Sequence, residues 1–268
     1  MAKESITFVM LVKDITLKSE KNFIKTITSA SRLSKNFIIV DNGSSDKTIS
    51  IINKLEKKLN LNLQLFEDTR KEFDYLKYVY SKKVSTQYIF VLDDDEILSP
   101  ELIHEINNKL KKNYDLFNIK WNTYIGDNLI AEDKKPTLFS KRYNILSGSK
   151  ELHKQYNKEK IKKLKPNQIY NTKHEIQHIS YPDLDFLFKK SNLYSKYEAE
   201  TLFKKNKNIT FLSLVLRYLF ECFIYIIYSL FFAKGYKHSF GFLFSFHALS
   251  YKYKKYFFYW ELKKNAKK

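Results

Sequence analysis

Tyr88-Ile89-Phe90-Val91-Leu92-Asp93-Asp94-Asp95-Glu96 decides how this sequence is read. Five apolar residues run without interruption and give way to four carboxylates. An apolar run of that length predicts a strand buried on both faces, the kind found in parallel sheets covered by helices. Similar runs occupy residues 6–12 and 36–40, and residues 61–66 read as a further strand. Between them, residues 19–33 carry Phe23, Ile24, Ile27 and Ala30 at helical spacing, and residues 47–59 and 72–83 also read as helices. Past the carboxylates, Ser99 is a good cap and Pro100 suits the first position of a further helix. The alternation of strand and helix predicts an α/β fold: an open, mostly parallel, Rossmann-like sheet with helices on both faces.

In such sheets ligands bind beyond the carboxyl ends of the strands. Lys13-Asp14, the turn Asp41-Asn42-Gly43-Ser44-Ser45-Asp46, and Asp93 to Glu96 all lie at strand ends, so they should converge on one crevice. Gly43 permits a tight turn, and Asp46 is placed to cap the next helix. Four adjacent carboxylates repel one another when desolvated. A bound Mg²⁺ or Mn²⁺ would relieve this, since both take oxygen ligands together with substrate phosphates. Strand alternation predicts Asp93 and Asp95 on one side and Asp94 turned away, with the role of Glu96 open. The bland alternative is a solvated turn capping the next helix.

Beyond residue 115 the pattern weakens, with short strands expected at 116–121, 137–139 and 176–181 and a basic run at 158–165 that reads as a solvated loop or helix. His174 and His178 have i, i+4 spacing, but the stretch from Ile176 reads as a strand, so the spacing carries little metal signal and both read as structural histidines. The single cysteine, Cys222, excludes an intramolecular disulfide and a cysteine zinc cluster. Within the first strand the strictly apolar stretch, Phe8 to Val12, is about five residues, shorter than the ~7–15 of a signal core, which predicts a cytoplasmic chain. The formal charge of +19 is unevenly spread: residues 1–133 are neutral, whereas residues 189–268 hold 16 Lys/Arg against 4 Asp/Glu. Short apolar stretches and interleaved Tyr, Phe and Lys accompany that excess. Such a tail suits an interfacial anchor on an anionic membrane surface; a spanning helix from about residue 212 to 233 and a buried helical hairpin are the alternatives. We therefore expect a domain over residues 1–190 and a helical, basic, membrane-interfacial appendage over 191–268.

Val40-Asp41-Asn42-Gly43-Ser44-Ser45-Asp46-Lys47-Thr48 and Phe90 to Ser99 resemble the two signatures of inverting family 2 glycosyltransferases of the GT-A fold. The second is similar to the D-x-D-E form of the subgroup that adds glucose to the inner core of lipopolysaccharide or lipooligosaccharide. His178-Ile179-Ser180 and the stretch from Phe188 to Ser195 resemble that subgroup's H-x-S and K-x-x-x-Y-S segments. The resemblance implies a UDP-sugar donor, probed at its uracil or ribose by Asp41, with Lys13, Asp14, Gly43 and Ser44 in the same donor-binding loops. It places Lys77 near the donor, Asp93 against ribose or a metal-bound water, and Asp95 on the metal. Gly148 and Leu152-His153 resemble a G…V-H-E segment, making His153 a candidate contact to metal or diphosphate. Lys154 stands where a Glu would follow, so the general base is left between Asp133 and Glu151. The acceptor implied is a lipid-linked saccharide, and the location the inner face of the bacterial cytoplasmic membrane. Two rivals remain: a non-catalytic nucleotide-sugar-binding relative, and a nucleic-acid-binding protein using the basic tail. No nucleic-acid motif is present, so no nucleic-acid partner is expected.

Overall fold

The computed structural model describes residues 5–125, 128–151, 154–181, 184–205, 209–231 and 239–266. Two compact units are resolved: residues 1–122 with 133–180, and residues 123–132 with 181–268. The boundary drawn at residue 190 from composition falls inside a helix, because the basic, aromatic character begins part-way along it.

The first unit is built on β1 (Ile6–Val12), β2 (Asn36–Asp41), β3 (Asn62–Glu67) and β4 (Tyr88–Val91), linked by α1 (Ile15–Lys18), α2 (Glu20–Leu33), α3 (Thr48–Leu59) and α4 (Phe73–Ser81). Then follow β5 (Glu96–Leu98), α5 (Pro100–Leu110), β6 (Leu116–Ile125), β7 (Asn128–Ser140), α6 (Lys158–Lys162) and β8 (Ile169–Tyr181). The eight strands form one sheet in the order β3-β2-β1-β4-β7-β6-β8-β5. β1 pairs in parallel with β2 and β4, and β2 with β3. β7 runs antiparallel to β4, and β5 antiparallel to β8. The α/β fold with an open sheet is thus observed, and its parallel nucleus has the doubly wound order.

Side-chain alternation explains the two-sided core. On β1, Phe8 and Met10 enter one cluster and Val9 the other; on β2, Phe37 and Ile39 oppose Ile38 and Val40; on β4, Phe90 opposes Ile89 and Val91. Apolar residues of α2, α3 and α5 cover the first face, and Leu76 and Tyr80 of α4 cover the second. Phe8 stacks between Phe37 and Phe90 at centroid distances of 5.0 and 4.9 Å, fixing the register of three strands. Helix starts follow the sequence: Ser19 accepts from Asn22 N at 3.2 Å, and Ser99 from Leu102 N at 3.2 Å with Pro100 behind it. Because the helices leave β1 on one face and arrive at β4 from the other, the switch point between these strands opens a crevice at their carboxyl ends.

Two expectations need correction. The strands placed at 116–121, 137–139 and 176–181 are the ends of the much longer β6, β7 and β8. β5 forms directly from Glu96, where the sequence suggested a passage into α5. The basic run at 158–165, read as a solvated loop or helix, forms the short α6 with no buried residue.

The second unit holds α7 (Leu184–Lys204), α8 (Phe211–Phe231) and α9 (Ser239–Asn265). Glu198 of α7 accepts from Tyr251 and from Lys255 Nζ (2.7 Å) of α9. Glu221 of α8 accepts from Arg217 Nε at 2.8 Å and from Tyr253 OH of α9 at 3.1 Å. Among the described residues, no helix is long and apolar enough to cross a membrane.

Candidate active site

Two loops at the carboxyl ends of β1 and β2 are laced into one wall. Asp14 adopts left-handed backbone (φ 46°), and its N–H donates to Ser44 Oγ at 2.9 Å. Its carboxylate accepts from Ser45 N at 2.8 Å. Asp41 is buried, and both its oxygens are held by Ser44, through N (3.0 Å) and Oγ (2.5 Å). Asp41 therefore shapes the turn at the carboxyl end of β2. Gly43 sits at φ +74°, and a Cβ there would come 3.0 Å from Thr69 Cγ2, so only glycine lets the turn close. Asp46 spans both loops, accepting from Thr16 N at 2.8 Å and Thr48 N at 2.9 Å. Burial opposes its charge, but the bonds from Thr16 and Thr48 outweigh this and hold the carboxyl down at about 2. Lys13 is exposed beside this wall.

The second wall is the turn after β4. Strand alternation does not apply there, because β4 ends at Val91 and the aspartates lie in a turn. Each acid goes to a different element. Asp93 accepts from Lys77 Nζ of α4 at 2.5 Å, Asp94 from Lys18 Nζ of α1 at 2.7 Å, and Asp95 lies 3.4 Å from His178 Nε2 of β8. Glu96 is almost wholly buried and accepts from Trp121 Nε1 (2.7 Å), Lys135 Nζ (3.2 Å) and Asp93 N (3.0 Å).

The electrostatics follow from these partners. Burial penalises the Asp93 charge, but Lys77 and Lys135 outweigh it and hold the carboxyl at about 2. Burial also acts against Lys77, yet Asp93 and Asp74 raise it above the ordinary lysine range, so it stays cationic. Asp94 is lifted by burial and by Asp95, against the pull of Lys18. Tyr156 is pushed well up by burial and by Glu96, Asp93 and Asp74, so its phenol keeps its proton. Lysines thus relieve most of the repulsion that the sequence reading assigned to a cation.

His178 is placed by its neighbours. Its ring stacks on Trp121 at 4.2 Å, and Lys135 Nζ covers the other aromatic partner, 3.5 Å from the Trp121 ring centroid. Lys18, Trp121, Lys135 and Tyr156 are site residues that local sequence did not single out, and His178, which read as a structural histidine, joins them. The strand pattern over 176–181 put His178 on a regular face, but the pairing of Glu96 with His178 across β5 and β8 carries it to the acids.

The base candidates differ in setting. Asp133 is exposed on β7, two residues before Lys135, and so on the same side of the strand. Glu151 lies in the loop after Gly148 and pairs with Lys154 Nζ at 2.9 Å. His153 lies outside the described residues. Among the described residues, no group of three or more His, Cys, Asp or Glu is gathered as a ready metal site. Asp95 and His178 nevertheless fit a divalent ion whose other positions are taken by a diphosphate and water, since one carboxylate and one imidazole suit Mn²⁺ in particular.

Residues 15–180 match the family described as glycosyl transferase family 2. The chain belongs to that family. Among solved structures, the glycosyltransferase is similar to S. aureus TarS residues 1–349, at 15% identity and TM-score 0.50, over 71% of this chain and 64% of that one. It is similar to the same TarS fragment in complex with UDP, at 13% identity and TM-score 0.50, over 84% and 72%. At these identities the likeness is one of fold. No curated protein matches the chain. The glycosyltransferase match takes in both walls of the crevice from Ile15 onward and ends at Ser180, two residues past His178.

Proposed function

We propose that the chain transfers a hexose, glucose by the resemblance of its motifs, from a UDP-sugar to a lipid-linked saccharide such as the lipooligosaccharide core, with inversion at the anomeric carbon. The observation that carries this reading is the meeting of Asp95 and His178, 3.4 Å apart, just past the carboxyl end of β4, in a sheet where β1 separates that strand from β2 and its Asp41–Ser44 turn. TarS, of the same fold, has been seen with UDP. Asp41, Ser44, Asp14 and Lys13 form the nucleoside wall. Asp93 faces the ribose side, oriented by Lys77. Asp95 and His178 are the side chains that would hold Mg²⁺ or Mn²⁺, with His153 a further candidate. Such an ion supplies charge neutralisation for the departing diphosphate.

Asp133 is the favoured general base. It is exposed, whereas Glu151 is engaged by Lys154. Its carboxylate takes the proton of the acceptor hydroxyl as that oxygen bonds to the anomeric carbon and the bond to UDP breaks. Such a base is worth ~10²–10⁴-fold in rate. The acceptor's lipid implies work at the inner face of the cytoplasmic membrane, where a basic tail is attracted to anionic headgroups.

The test is a screen of UDP-sugars with Mn²⁺ against lipid-linked acceptors, with Asp95→Ala and Asp133→Asn in parallel. Transfer should fall by about 10²-fold or more in Asp133→Asn while UDP binding is retained. Binding of UDP-sugar without turnover by the unaltered chain, on every acceptor, would favour a non-catalytic relative. Full activity of Asp95→Ala would refute the metal assignment.

A further inference from the structure

We propose that the outward face of α8 is a lipid-docking surface that lies flat in the headgroup region of an anionic leaflet. Leu212, Leu216, Leu219, Phe220, Phe223 and Ile227 recur at helical spacing and share one side of the helix. They are bare: Leu212 is 68% exposed, Phe220 65% and Phe223 63%. Large side chains of this kind, contiguous on one face, mark an interaction surface rather than ordinary scattered exposure.

The other side of α8 is occupied. Leu214 and Glu221 are buried, and Glu221 binds Tyr253 of α9. Tyr218 meets the Tyr253 ring edge-on at 4.6 Å. The one charged pair of the helix, Arg217 with Glu221, is therefore turned toward α9 and its flank, leaving the bare face free of charge. No described helix is long and apolar enough to cross a membrane, and α8 has one side packed on α9 and one side bare and apolar. It suits an in-plane position.

Charge selects the occupant. Residues 189–268 hold 16 Lys/Arg against 4 Asp/Glu. Two of those acids are used internally, Glu198 by Lys255 and Glu221 by Arg217. A second copy brought face to face would oppose two strongly cationic units, whereas an anionic leaflet is attracted to the same charge. The inference rests on the lipid-linked acceptor proposed above and gives the enzyme a means of staying beside it.

The test uses the full chain and floated vesicles, either pure phosphatidylcholine or phosphatidylcholine with phosphatidylglycerol. The unaltered protein should float with the anionic vesicles and much less with the neutral ones. The double variant Phe220→Glu, Phe223→Glu should lose at least about tenfold in vesicle affinity, because both rings leave the leaflet. Its melting temperature and its UDP binding in the absence of lipid should not change. A single Phe220→Trp variant should gain quenching by lipids brominated near the headgroup, above the background of Trp121 and Trp260. Equal flotation of the double variant would overturn the proposal, as would a concentration-dependent dimer that the double variant abolishes. UDP binding without lipid reads the donor site separately, so loss of the membrane result would leave the transferase reading standing.

Discussion

Glu96→Gln separates a structural from a chemical role for the fourth acid. The carboxylate serves three donors with two oxygens: Trp121 Nε1 and Lys135 Nζ on one, Asp93 N on the other. An amide of the same shape keeps one acceptor. Its better orientation leaves oxygen toward Trp121 and Lys135 and sets its NH₂ against the Asp93 N–H. One unsatisfied, partly buried N–H costs about 1–3 kcal/mol, and the remaining bonds fall from charge-assisted to neutral strength, losing about 1 kcal/mol. The ion pair with the partly exposed Lys135 adds little. The sum is roughly 2–4 kcal/mol, or a melting temperature lowered by about 5–15 °C. Because Asp93 N loses its anchor, the donor wall loosens and the Michaelis constant for the donor should rise with a smaller change in kcat. Thermal denaturation by circular dichroism and initial rates at varied UDP-sugar provide the two readouts. An unchanged melting temperature with a collapse of kcat would refute this reasoning and make Glu96 a participant in the chemistry.

Two further expectations come from the loops. Gly148→Ala should destabilise the fold by about 1–3 kcal/mol, since φ is +64° and the new Cβ would lie 2.9 Å from the Tyr78 ring; a melting temperature equal to the parent's would contradict the loop geometry. Asp46 has a folded-state carboxyl held at about 2 against an ordinary 3.8. A depressed carboxylate contributes stability above its unfolded value and loses it as pH falls through its folded value. The advantage of the unaltered chain over Asp46→Asn in denaturant midpoint should therefore be full near neutral pH and vanish between about pH 4 and about pH 2; an advantage that persists at the acid end would show that the lacing of the two loops is misassigned.

The parallel nucleus was legible because its chemistry is local. Strands buried on both faces need continuous apolar runs, and β1, β2 and β4 have them. The caps Ser19 and Ser99 were readable for the same reason. β7 was not, because residues 128–140 mix Glu132, Asp133, Lys134 and Lys135 with Pro136 and show no clear alternation. Its pairing with β4 supplies the order that its own propensity lacks. At the site, the acids were visible as a motif, but their separate destinations were not. That Asp93 meets Lys77, Asp94 meets Lys18 and Asp95 meets His178 depends on four elements brought together by the sheet. His178 illustrates the limit: a strand pattern gives the face of a residue, and only the neighbouring strand says what lies opposite.

The one-to-one matching of acids and lysines in the turn after β4 has a consequence for the order of encounter. Asp93, Asp94 and Glu96 each carry a lysine from a different element. Three of the four formal charges of this turn are thus matched by lysines, which leaves the turn close to electroneutral. On the function proposed above, a nucleotide diphosphate would meet no dense negative barrier at this turn and a lone cation no deep well, so the two would be best received together, as one nearly neutral complex.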